Sequence, residues 1–166
     1  MRLAALALFV VCFALSAFVS TSSALPPGSA SQTVKNFPVR EPDEDSPLFV
    51  VWQLLKVGVG ADGAGSIADY RRLCLGDRTK DASESGRLEE KEFDNLKAQA
   101  GSFLVHDLHG FKIYVTEMTP GPAFLKKDTK KVYITLKNQI ESDERPGLFI
   151  LEKDSRSNWK LRSLSL

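Results

Sequence analysis

Ser46-Pro47-Leu48-Phe49-Val50-Val51-Trp52-Gln53-Leu54-Leu55-Lys56-Val57 is the stretch on which the reading of this chain turns. Ser46 is a preferred N-cap residue, and Pro47 suits the first helical position, where a missing N–H costs nothing. Leu48, Val51, Trp52, Leu55 and Val59 recur at helical spacing. Phe49, Val50, Leu54 and Val57 make most of the remaining circumference apolar, so this helix has to be wrapped rather than laid on a surface. The second half of the chain alternates as strands do, and a sheet curled around the helix is the expected core.

Downstream, Gly58, Gly60, Gly63 and Gly65 break the helical pattern. Gly58-Val59-Gly60-Ala61-Asp62-Gly63 has the glycine density of a phosphate loop, but such a loop follows a strand, and here it follows an apolar helix. It reads as a connector. Ser66-Ile67-Ala68-Asp69 is a capping box that opens a second helix, with Ile67, Tyr70 and Cys74 on one face and Gly76 as its stop. Residues 76–85 are polar and loop-like. A third helix is expected from Gly86 to Ala100, with Glu89 and Glu90 near its positive end, Phe93, Leu96 and Ala100 on one stripe, and Gly101 closing it.

From Phe103 onward the period becomes two. Phe103-Leu104-Val105 begins a strand that His106-Asp107-Leu108-His109-Gly110 interrupts. Phe111, Ile113 and Val115 alternate with Lys112, Tyr114 and Thr116, and Val132, Ile134 and Leu136 alternate with Tyr133, Thr135 and Lys137. Pro120-Gly121-Pro122 forces a turn between these runs. Leu148-Phe149-Ile150-Leu151 and residues 158–164 follow, joined through Asp154-Ser155-Arg156-Ser157, and connections this short imply an antiparallel meander.

Upstream, Arg2 precedes an apolar run from Leu3 to Val19, and Ser22-Ser23-Ala24 places small residues where a signal peptidase reads. Residues 1–24 are therefore read as a cleaved signal peptide, with export to a secreted or periplasmic location, and an uncleaved membrane anchor is the other reading of that run. Residues 25–45, with Pro26-Pro27-Gly28 and Glu41-Pro42-Asp43-Glu44-Asp45, read as a disordered linker. Residues 46–166 are then one domain, in a chain of 166 residues that are 43% hydrophobic and 26% charged. Loss of Arg2 with the leader leaves a neutral chain, since the whole sequence carries 22 basic and 21 acidic residues. Nothing in it has the clustered Lys and Arg of a nucleic-acid binder. Cys12 departs with the leader and Cys74 remains alone, so no intramolecular disulfide forms. Between Leu73 and Leu75, Cys74 reads as a small buried apolar residue.

Three helices followed by four to five antiparallel strands, the last carrying Trp159-Lys160-Leu161, resemble the nuclear-transport-factor-2-like superfamily, which includes ketosteroid isomerases and polyketide cyclases. The resemblance covers about residues 46–166. It implies an α+β fold of cystatin-like, cone-shaped type, in which a curved sheet packs around the first of three N-terminal helices. It also implies that an enzyme of this kind would place an Asp, His or Tyr inside the cone, where low polarity shifts its pKa.

His106, Asp107 and Tyr114 are the candidates for that role, with His109 nearby. On a strand His106 and His109 point to opposite sides, and no Cys or Glu completes a metal site, so no metal or other cofactor is expected. Trp52, Tyr133, Phe149 and Trp159 are the candidates for lining a pocket for a small apolar ligand, and aromatic residues of this kind also build cores. Lys126-Lys127-Asp128-Thr129-Lys130-Lys131 reads as a charged hairpin tip that keeps an edge strand soluble. The expectation is an exported, non-catalytic domain that binds a small apolar ligand, or pairs with itself or a protein partner through the outer face of its sheet. The competing readings are a small isomerase, cyclase or hydrolase with His106 or Asp107 as general base and Tyr114 assisting, and a secreted effector or inhibitor acting through residues 25–45.

Overall fold

A computed structural model describes residues 35–76, 78, 81–117, 128–140 and 146–166. The leader, all of residues 25–34 and the turn at Pro120-Gly121-Pro122 lie outside the described residues. The fold is α+β: β1 (Lys35–Val39), α1 (Pro47–Val59), a single 3-10 turn (Ala61–Gly63), α2 (Ile67–Leu73), α3 (Ala82–Phe103), then β2 (Val105–Asp107), β3 (Gly110–Glu117), β4 (Thr129–Thr135), β5 (Gly147–Lys153) and β6 (Trp159–Ser165). All pairings between these strands are antiparallel, in the order β1-β3-β4-β5-β6 with β2 attached to β3, and the sheet is open at β1 and β6.

The start of α1 is the one its sequence encodes. Ser46 Oγ accepts from the Phe49 N–H at 3.2 Å, and Pro47 stands in the first turn. At the other end Gly60 takes a left-handed conformation (φ 71°, ψ 26°) and its N–H returns to the carbonyls of the last turn, a cap that a residue with a Cβ adopts only at a cost. None of residues 46–58 is exposed, and Val51, Leu54 and Leu55 are fully buried. Each such side chain contributes about 1.5–3 kcal/mol on burial, so α1 is the main hydrophobic anchor of the fold. It packs against α3 on one side and against β4 and β6 on the other. The sheet face turned to the core carries Ile113, Ile134, Phe149, Leu151 and Leu161, all fully buried, and its strands keep them in register: Val132 opposite Phe149, and Leu151 opposite Leu161.

Several boundaries differ from the sequence reading. Among the described residues the strands number six, not four to five, because β1 comes from the segment read as linker and β2 from the region read as an interruption. Pro38 lies within β1, which hides a strand from pattern reading but suits an edge position, where one missing N–H leaves no ladder bond broken. Asn36 fastens this strand. Its Oδ1 accepts from Thr116 Oγ1 and Thr135 Oγ1, both at 2.9 Å, and its Nδ2 donates to the Ile140 carbonyl at 2.6 Å. Helix α3 begins at Ala82 rather than Gly86, because Asp81 caps it, its carboxylate accepting from the Ser83 N–H at 2.8 Å. It runs through Gly101 to Phe103, since Phe93, Leu96, Ala100 and Phe103 continue a single buried stripe. Phe103 is thus helical, not the start of a strand. Helix α2 ends at Leu73, one residue before Cys74, which is extended and bridges Leu161 in parallel.

That bridge covers the β6 edge of the sheet. Leu75 N–H donates to the Leu161 carbonyl at 2.8 Å, and Arg78 Nε donates to the Arg162 carbonyl at 2.7 Å. An otherwise unpaired strand edge is satisfied by the chain between α2 and α3.

Four carboxylates at the ends of these elements predict the acid response. Asp69 is held below its ordinary 3.8 chiefly by the Ser66 hydroxyl, Asp81 by the Ser83 N–H, Asp107 by the His109 N–H and Asp154 by the Asn158 N–H. A carboxylate with a depressed folded pKa stabilises the fold fully above its unfolded value, and that stability is lost as pH falls through the folded value. Urea midpoints are therefore expected to hold between pH 7 and 5 and to fall below about pH 4. Asp154→Asn should shallow that fall; an unchanged midpoint at pH 3 would show that these bonds do not persist in solution.

Candidate functional site

The residues proposed for proton transfer fall on the β2–β3 hairpin. Val105 pairs with Lys112, His106 with Phe111 and Asp107 with Gly110, so the stretch read as an interruption is a tight hairpin whose tip is Leu108-His109. His106 and His109 are exposed, and Leu108 is completely so. The His106 ring meets Phe111 edge-on at 5.1 Å. Asp107 accepts from the His109 N–H at 2.9 Å and pairs with Arg40 at 2.7 Å and Lys112 at 3.3 Å. These partners hold its carboxyl below the usual range, the reverse of what a general base working near neutrality requires. Tyr114 is half-buried one strand position beyond Ile113, with Lys112 Nζ 5.6 Å from its ring centre. His106 and Asp107 on β2 and Tyr114 on β3 share one hairpin but do not converge in a low-polarity site. Among the described residues no group of three His, Cys, Asp or Glu side chains could hold a metal ion.

The four aromatic candidates also separate. Phe149 is fully buried in the core face of the sheet, opposite Val132 and Leu164. Trp159 is half-buried at the start of β6, two positions from Leu161, with Lys153 Nζ 5.2 Å from its ring centre. Tyr133 lies between the inward Val132 and Ile134 and so points to the opposite face, paired with Thr116 and Leu148. Trp52 alone carries an unmet chemical demand. It is 8% exposed on α1, and its buried indole Nε1–H has no hydrogen-bond partner among the described residues. A buried donor without a partner costs about 1–3 kcal/mol, and native folds rarely leave one.

Around that indole stand Phe49, its ring 6.2 Å away, and Lys56, whose Nζ lies 4.3 Å from the Trp52 ring centre. Lys56 is the one charged side chain of α1, and it is 15% exposed. It pairs with Asp62 in the 3-10 turn, a residue at positive φ (56°) whose side chain is 72% exposed. A lone Lys in an otherwise apolar helix was the sequence signal for this pair. Its partner came from the glycine-rich connector, where spacing carried no such information.

A second cluster was not visible in the sequence. Tyr70 of α2, fully buried, donates its hydroxyl to Glu92 Oε2 of α3 at 2.8 Å. Arg78 Nη2 lies 2.5 Å from the same oxygen, an ion pair. Arg78 Nη1 donates to Cys74 Sγ at 3.7 Å. Burial pushes the Tyr70 phenol far above its ordinary value and the Cys74 thiol up to about 11, the Arg78 charge offsetting the latter only in part. Desolvation works against the Arg78 charge, yet its bond to Glu92 and that residue's charge hold its pKa above the ordinary value. Protonated Cys74 and Tyr70 are unsuited to nucleophilic or basic work at neutral pH. The cluster ties α2 and α3 to the β6 edge.

Compared with protein-family models, curated proteins and solved structures, the chain matches none. Among the described residues no helix is long and apolar enough to cross a membrane. The chemistry of the side chains is therefore what any functional reading rests on.

Proposed function

We propose that this chain is an exported, non-catalytic binding domain of the nuclear-transport-factor-2-like cone type, and that it takes a small apolar ligand bearing a hydrogen-bond acceptor against Trp52. The observation that carries the reading is the buried, unpartnered Trp52 Nε1–H on a helix with no exposed residue between 46 and 58. An aromatic wall with one polar tip is the ordinary construction of an apolar site, and a ligand carbonyl would satisfy the donor that the fold does not. The enzyme reading has less support. Exposed histidines and a carboxylate already engaged with Arg40 and Lys112 lack the enclosure that proton transfer calls for.

The test is the indole N–H resonance of Trp52 in the full chain, assigned with Trp159→Phe. Titration with 2-undecanone is expected to shift it saturably. A hydrocarbon of the same length should bind about 3–10-fold more weakly, the worth of one neutral hydrogen bond. A resonance that neither probe moves in the folded protein would overturn the reading.

A further inference from the structure

We infer that the ligand of the Trp52 site is a monocarboxylate with an apolar chain, its head group held by Lys56 Nζ together with Trp52 Nε1–H. The inference rests on the proposed binding at Trp52 and names the chemistry of the head group. Two donors belong to one indole neighbourhood: the ring N–H, which has no hydrogen-bond partner among the described residues, and the Lys56 ammonium over the ring face, 4.3 Å from its centre. A carboxylate presents two oxygens and accepts from two donors at once, and a bond to a charged donor is about twice as strong as a neutral one. One cation and one N–H match a single negative charge, and a phosphate dianion would leave charge uncompensated.

The chain supplies its own stand-in. Lys56 is paired with the Asp62 carboxylate, so the ammonium already receives a group of this chemistry. Asp62 is weakly committed to that position. Its side chain is 72% exposed, its backbone sits at φ 56°, and it rides on a turn of three residues between Gly60 and Ala64. An Asp at positive φ is tolerated but not favoured, and the Asp62 half of the pair already faces water, so a ligand carboxylate displaces Asp62 to solvent at small cost. Lys56 stays where it is, 15% exposed, with its stem against Trp52.

Decanoate below its micellar concentration and 2-undecanone are the paired probes, both read at the Trp52 indole resonance at pH 7. Decanoate is expected to bind about tenfold more tightly than the ketone. Lys56→Gln should remove that advantage by weakening decanoate about tenfold more than it weakens the ketone, and Asp62→Asn should tighten decanoate several-fold by freeing the ammonium. Ketone binding with no preference for decanoate, or an equal loss of both probes in Lys56→Gln, overturns the carboxylate inference and leaves the Trp52 reading intact. Failure of both probes in a protein whose circular dichroism is unchanged overturns the two together.

Discussion

Glu92→Ala is expected to lower the unfolding free energy by about 3–5 kcal/mol, because it strands a buried cation. The Arg78 side chain is 1% exposed, and Glu92 is the carboxylate beside its guanidinium. The same substitution removes the acceptor of the Tyr70 hydroxyl, which lies in a fully buried side chain. Arg78 also holds the Arg162 carbonyl at the sheet edge, so a guanidinium that swings out toward water uncovers β6 as well. Urea denaturation checks the magnitude, and a loss below about 1 kcal/mol would mean that water already reaches the cluster. Replacing the pair together, Arg78→Met with Glu92→Leu, should recover much of the loss, since well-packed apolar groups of similar size serve as well as a buried ion pair. Tyr70→Phe should cost about 1 kcal/mol, the worth of one hydrogen bond, because the ring keeps its contact with Phe93 at 5.6 Å.

Gly58→Val is expected to destabilise by about 3 kcal/mol for a different reason, the closeness of two helices. A Cβ placed on Gly58 would stand 2.6 Å from Ala100 Cβ, 3.0 Å from Leu96 Cγ and 3.1 Å from the Leu96 carbonyl. Two of those three atoms belong to the α3 backbone or are fixed directly to it, so the helices have to part rather than a side chain turn aside. Gly58→Ala meets the same contacts but regains about 1 kcal/mol of helix propensity, so its net loss should be smaller. Ala100→Gly in the Gly58→Ala background tests the geometry, because it removes the nearest contact. Partial recovery of the thermal midpoint is expected, and a purely additive further loss would place the strain elsewhere.

How much of this was legible in the chain differs from element to element. Helix α1 was readable to within two residues because its signals are local: a capping Ser46, a following Pro47, and apolar residues on every side. The capping box of Ser66 and Asp69 was equally plain, and the structure contains both of its reciprocal bonds. The alternation in β3 and β4, and the apolar run of β5 joined by a short turn to β6, gave four strands in the right places, since a strand with a buried face writes its pattern into the sequence. Strand β1 was missed for the converse reason. A five-residue strand containing a proline has no pattern of its own, and what orders it is Asn36 reaching Thr116, Thr135 and Ile140. Phe103 was misassigned because a Phe-Leu-Val run suits a strand as well as a helix, and the helix won by continuing a buried stripe.

The site divides along the same line. Composition and periodicity by themselves determined that this is an α+β chain built around an apolar helix bearing Trp52 and a single charge, Lys56. They also picked out both histidines, but could not say that these stand on an exposed hairpin, since the two residues at a hairpin tip look the same in sequence whether a pocket or water surrounds them. Only the tertiary structure placed Asp62 against Lys56, left the Trp52 N–H without an acceptor, and gathered Tyr70, Arg78 and Glu92 from three segments into one buried cluster. Local signals are encoded by neighbours a few residues apart. Burial and charge pairing are decided between segments the sequence keeps apart, and they exist only once those segments have packed together.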